Sequence, residues 1–201
     1  MTRPKHWVLA TSNRGKLAEL TRLLAGAGLD LRVTPQSELG VDAPAETGTT
    51  FVENALAKAR HAARMTGLPA IADDSGLVVP ALRGAPGVRS ARFAGETADD
   101  GANVAKLLAS LAAPSLDRAA LFHCVLVALE HCDDPAPLLA TGSWAGQIAP
   151  APRGTRGFGY DPVFFDRGLG RTAAELDGDE KNRVSHRGEA LRRLVELLKN
   201  R

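Results

Sequence analysis

Two adjacent carboxylates, Asp73 and Asp74, interrupt an apolar run that extends from Leu68 to Pro80, and Ser75 and Gly76 follow at once. A carboxylate buried in such a run needs a partner or a metal, because stripping water from an unpaired charge is costly. Residues 70–72 and 77–79 read as short buried strands bounded by Pro69 and Pro80. On this reading the aspartates stand where a strand gives way to a turn at Gly76. Neighbouring residues of an extended chain point to opposite faces, so only one of the two is expected to face a reaction. The alternative for Asp-Asp-Ser-Gly is an Asx-turn with no chemistry.

Three further groups of residues suit a phosphorylated, flat ligand. Thr11, Ser12, Asn13, Arg14, Gly15 and Lys16 lie between a strand over 7–10 and a helix carrying Leu17, Leu20, Leu23 and Leu24. Backbone N–H groups at a helix N-terminus attract phosphate, and a lysine there adds a point charge. The two glycines and the Lys-Ser/Thr pair of a Walker A loop are absent. Lys181, His186 and Arg187, the last two at the start of a terminal amphipathic helix, supply more donors. Between them, residues 153–165 hold three of the chain's six Phe and its one Tyr. Gly157 and Gly159 flank Phe158 there, and Tyr160 and Asp161 follow. Rings so flanked suit stacking on a flat ligand, the alternative being a pair of core aromatics in a tight turn. Glu46 with Asp73 and Asp74 adds an acidic site. Carboxylates beside phosphate donors imply Mg²⁺, a hard cation that prefers oxygen ligands. The residues thus describe a metal-dependent enzyme acting on a nucleotide.

The elements that must position these residues alternate between strand and helix. A second strand is expected over 29–33, loop over 34–48, and an Ala-rich helix over 51–63. Thr49 or Thr50 caps that helix with Glu53 reaching back, which leaves Glu53 divided between a capping box and a role near the metal. An ordered Gly/Pro loop over 82–95 follows, then a helix from Asp99 or Asp100 to Leu111. Strands over 119–130 and 138–148 pair through Asp133-Asp134-Pro135. With 201 residues, no internal repeat and no evident linker, the chain reads as one domain or two intimately packed lobes.

With a net charge of only +2 nothing argues for wrapping nucleic acid, and an anionic ligand must be met by local arrangement. No apolar stretch approaches the ~18–20 residues of a membrane span, and the run after His6 is too short for a signal-peptide core. A cytoplasmic location without membrane contact is expected. Cys124 and Cys132 each follow a histidine, but a strand between them spans roughly 26 Å, too far for one zinc ion. Reduced thiols are the expectation.

Taken together, the chain resembles the inosine/xanthosine triphosphate pyrophosphatase family, from Leu9 to about Leu198. The motifs, in the family's order, are residues 10–16, Glu46-Thr47-Gly48 with 51–58, residues 72–77 with 84–93, residues 157–164, and Lys181 with 185–188. Ser12 stands where many members have Gly, and Arg89 where an aromatic is frequent. The resemblance implies a two-lobed α/β mixed-sheet fold with the nucleotide in the cleft between lobes. It also implies hydrolysis of deaminated purine nucleoside triphosphates (ITP, dITP, XTP) to monophosphate and pyrophosphate, and a homodimer. Asp74 would be general base and metal ligand, with Lys16 as the second catalytic residue and Glu46 helping to hold Mg²⁺. Thr11 to Lys16 and Ser75 would bind triphosphate, Phe158, Gly159, Tyr160 and Asp161 the base, and Lys181, His186 and Arg187 its 6-keto side. The rivals are a phosphatase releasing inorganic phosphate and a silent nucleotide-binding protein.

Overall fold

Buried apolar runs in the strands and an Ala-rich helix face account for much of the architecture. The computed structural model describes residues 6–11, 13–29 and 31–201, with the backbone but not the side chain of Arg14. Ser12 and the Arg14 side chain therefore lie outside the described residues. Among those described are strands β1 (His6–Ala10), β2 (Arg32–Pro35), β3 (Ala70–Val78), β4 (Ala119–Leu129), β5 (Leu138–Ile148), β6 (Phe164–Asp166) and β7 (Arg171–Thr172). The α-helices are α1 (Arg14–Ala25), α2 (Phe51–Thr66), α3 (Asp100–Ser110), α4 (Gly178–Val184) and α5 (His186–Asn200). The strands form one mixed sheet in the order β2-β1-β3-β4-β5-β6-β7, with β1 parallel to β2 and β3 and with β6 antiparallel to β5 and β7.

The chain divides into two compact units. The first comprises the chain up to Asp74, Cys124–Gly142 and Arg187–Arg201; the second comprises Ser75–His123 and Ser143–His186.

In the first unit, β1 sends Trp7 and Leu9 into one apolar cluster and Val8 and Ala10 into another. The Trp7 cluster also contains Leu20 of α1, Ile71 of β3 and Leu191 and Leu194 of α5. The second cluster is small-residue packing: Ala55, Ala59 and Ala62 of α2 meet Ala70 and Ala72 of β3. Alanine on both sides lets helix and strand approach closely without loss of side-chain entropy. In the second unit the core is aromatic, with Phe122, Trp144, Tyr160 and Phe164 around Leu77, Leu107 and Leu176.

Three expectations are corrected. The aspartates do not sit at a turn, for β3 runs unbroken from Ala70 to Val78. Gly76 serves close approach instead: a Cβ there would lie 2.4 Å from Ser90 Oγ and 2.5 Å from the Gly87 carbonyl. The second strand is displaced to Arg32–Pro35, and α4, absent from the sequence reading, precedes α5 with Asp177 as its cap.

Candidate active site

The parallel register of β1 on β3, Leu9 opposite Ile71 and Ala10 opposite Ala72, brings the loop after β1 beside Asp73. Ligands of parallel α/β sheets characteristically bind past such carboxyl ends. Asn13 caps α1 by accepting the Lys16 N–H at 3.0 Å, and Lys16 Nζ lies 3.2 Å from Asp73 Oδ2. Thr11 is buried, and Asn13, Gly15 and Lys16 are half-buried.

Strand alternation separates the two aspartates. Asp73 shares the face of Ile71, toward α1 and α5; Asp74 shares the face of Ala72, toward α2. There Lys58 Nζ donates to Asp74 Oδ1 and to Glu46 Oε1, each at 2.9 Å. Asn54 Nδ2 reaches Asp74 Oδ2 at 3.3 Å, while its Oδ1 accepts the Gly48 N–H at 2.8 Å. Asn54 and Lys58 stand one turn apart on the buried face of α2. Neither was singled out in the sequence, although a polar pair on an alanine-lined helix face is a readable sign of a buried partner.

The environments drive the two carboxyls apart. Burial works against ionisation of Asp73, but Lys16, Lys58 and Arg187 outweigh it and hold its pKa down at about 2. For Asp74 burial prevails over Lys58 and Lys16, with Glu46 adding repulsion, and its pKa is raised. Burial opposes the Lys58 charge, yet Asp73, Asp74 and Glu46 together raise its pKa. Adjacent carboxyls with separated pKa values are a recurring arrangement for one fixed anion and one proton acceptor. Glu53 is engaged elsewhere: its Oε2 accepts the N–H groups of Thr49 and Thr50 at 2.8 and 2.9 Å, closing the α2 capping box. Among the described residues no group of three or more His, Cys, Asp or Glu is arranged to hold a metal.

Arg187, 3% exposed, forms an ion pair with Glu19 of α1. Cys124 is enclosed in the Trp7 cluster, where burial first, then Asp73, pushes its thiol up to about 12.

In the second unit, Asp161 Oδ2 accepts the Phe158 N–H at 2.9 Å and Lys181 Nζ at 2.5 Å. Gly157 is obligatory: its φ is +77° and a Cβ would lie 2.0 Å from that same oxygen. Phe158 is half-buried with Lys181 Nζ 4.9 Å from its ring centroid, so an ammonium already takes one face of the ring. Tyr160 departs from the expectation of a stacking ring. It is 4% exposed within the aromatic core and donates its hydroxyl to the Ser90 carbonyl at 2.8 Å. His186, also buried, stacks on Phe122 with ring centroids 4.7 Å apart. Gly159 and Ser75 are half-buried.

Comparison with known proteins covers nearly the whole chain. The model of the Ham1 family matches residues 7–197. The chain is 60% identical to the dITP/XTP pyrophosphatase of Halorhodospira halophila over 190 residues, 94% of each chain. It is 58% identical to that of Shigella flexneri over 194 residues, 96% of this chain and 98% of the relative. The solved HAM1 protein from Coxiella burnetii superposes with a TM-score of 0.91 at 52% identity, covering 98% of this chain and all of that one. The Staphylococcus aureus Ham1 protein gives 0.85 at 39% identity over 98% and 99% of the two chains. Identity at this level along nearly the full length, on the same fold, makes the chain a member of the Ham1 family.

Proposed function

We propose that this protein hydrolyses deaminated purine nucleoside triphosphates, ITP, dITP and XTP, to the nucleoside monophosphate and pyrophosphate, clearing them from the nucleotide pool. The relatives named dITP/XTP pyrophosphatase support the reaction. The observation that carries it is the buried Asp73–Asp74 pair with a separate lysine on each carboxylate.

In this reading Lys16 and the N-terminus of α1 hold the polyphosphate, with Thr11, Asn13 and Gly15 nearby in the chain and Ser75 next to Asp74. Asp74, its pKa raised by burial, takes the proton of the attacking water. The water oxygen bonds to the α-phosphorus as the bond from that phosphorus to the bridging oxygen breaks, and pyrophosphate leaves with the electron pair. Asp73 stays ionised and keeps Lys16 in place. Glu46 and Asp74 would hold Mg²⁺, which needs only one or two protein carboxylates when phosphate and water complete its shell. Their oxygens already converge on a cationic point, the Lys58 ammonium. Held by these carboxylates, the ion would neutralise phosphate charge and ease deprotonation of water.

For the base, Phe158 offers a ring face and Lys181, His186 and Arg187 offer donors. Lysine and arginine carry no acceptor, so a 6-keto base accepts from them and a 6-amino base meets donor with donor. Each such failure costs about 1–3 kcal/mol, enough in sum to reject ATP by orders of magnitude. The family likeness supports a homodimer. The two free thiols suit a reducing, cytoplasmic setting, and among the described residues no helix is long and apolar enough to cross a membrane.

The test is product analysis with ITP. Pyrophosphate released in equal amount to IMP, abolished by chelator and restored by Mg²⁺, is expected; inorganic phosphate as the first product would establish the phosphatase instead.

A further inference from the structure

The turn that carries Phe158 is held by carboxylates from two places. One is local, Asp161 on the Phe158 N–H. The other is remote: the next N–H, that of Gly159, donates to Asp100 Oδ2 at 2.6 Å across 59 residues. Asp100 is the first residue of α3, where an acidic side chain would ordinarily be read as a helix-terminus device. That duty belongs to its neighbour. Asp99 caps α3 by accepting the Ala102 N–H at 2.7 Å, which leaves the Asp100 carboxylate to the turn.

The turn needs an external hold. Gly157 and Gly159 have φ of +77° and +62°, and glycine populates such angles and their opposites with similar ease. A charge-assisted bond, about twice as strong as a neutral one, selects one conformer. Its other end is well founded. Val104, Leu107 and Leu111 seat the α3 segment in the aromatic core. Asn103 ties it to the Ala94 N–H and Ala91 carbonyl at 2.7 and 3.1 Å, and Lys106 to the Phe93 carbonyl at 2.6 Å.

We infer that Asp100 is a positioning residue for base recognition: by pinning Gly159 it presents the Phe158 ring, with Lys181 against it, in a binding-ready orientation. This rests on the reading of Phe158 as the stacking residue. Without the pin, the turn must be ordered by the base itself, and the cost falls on binding.

The experiment compares steady-state kinetics on ITP for Asp100→Ala, Asp100→Asn and Phe158→Ala, with inhibition by inorganic tripolyphosphate, which has no base. Asp100→Ala is expected to raise KM for ITP about tenfold, the loss of one hydrogen bond to a charged group, with kcat within about twofold. Asp100→Asn, whose Oδ1 still accepts an N–H, should keep most of the wild-type KM. The inhibition constant of tripolyphosphate should not move in either variant. Combined with Phe158→Ala, the Asp100→Ala change should add nothing further, since both act through one ring. A raised KM in Phe158→Ala with an unchanged KM in Asp100→Ala overturns the positioning role alone. Parallel rises in KM and in the tripolyphosphate constant overturn it as well, by showing general damage. An unchanged KM in Phe158→Ala removes the stacking reading and the positioning role with it.

Discussion

Asp73 and Asp74 are chemically identical neighbours with opposite environments, and Lys58 is the residue that links them. It is the largest opposing charge on Asp74, whose carboxyl burial raises. Lys58→Met removes that opposition, so the Asp74 pKa climbs further. A base acts only when deprotonated, and the acid limb of the kcat/KM profile should therefore move to higher pH. Measured pH profiles of the two proteins on ITP check this; coincident acid limbs would mean that Asp74 is not the titrating base. Asp74→Asn should lower kcat by about 10²–10⁴-fold, the usual contribution of a general base, with an unchanged far-ultraviolet spectrum. The distances and burial that set these outcomes are not contained in the bare Asp-Asp-Ser-Gly string.

At the scale of the element, α2 does two jobs with different faces. Its buried face carries Asn54 and Lys58 to Asp74, and its first turn is closed by the Thr50–Glu53 capping box. Hydrogen bonds from the Thr49 hydroxyl first, then from the Thr50 and Thr49 backbone, lower the Glu53 pKa and keep it an acceptor for the cap. Glu53→Ala should lower the melting temperature while leaving the Mg²⁺ concentration for half-maximal activity unchanged. A shift in that concentration would return Glu53 to the metal. The capping role was legible because the Thr-x-x-Glu spacing and the Ala-rich run are both local. The course of β3 was not: Gly76 read as a turn, whereas it makes room for Ser90, which arrives from 14 residues away and accepts the Leu77 N–H at 2.9 Å.

At the scale of the molecule, folding the first unit gathers Lys16, Lys58 and Arg187, from three different helices, around one buried carboxyl. The Asp73 pKa falls from 3.8 to about 2. A depressed acid contributes stability that is present above its unfolded value and lost as pH falls through its folded one. For Asp73 the window runs from near pH 4 down to about 2, and the linked stability is about 2 kcal/mol. Asp74, shifted the other way, gains no such stability from ionisation. Urea unfolding of wild type and Asp73→Asn at a series of pH values should show a stability gap that is full above pH 4 and narrows across that window. A gap independent of pH would mean that Asp73 is not held ionised by the three cations.

What the sequence by itself determined is whatever depends on neighbours along the chain: the apolar run of β1, the cap of α2, the apolar faces, and the ordered motifs that carry the family resemblance. Those local rules also put Asp73 and Asp74 on opposite faces. Only the tertiary structure decided which face each would meet, because that depends on α1 and α5 packing on one side of β3 and α2 on the other. It likewise decided that Lys58 joins Glu46 to Asp74, that Tyr160 belongs to the core while Phe158 does not, and that Asp100 holds Gly159. Each of these contacts joins residues 12 or more positions apart, and spacing along the chain carries no information about such distances until the apolar faces have chosen their partners.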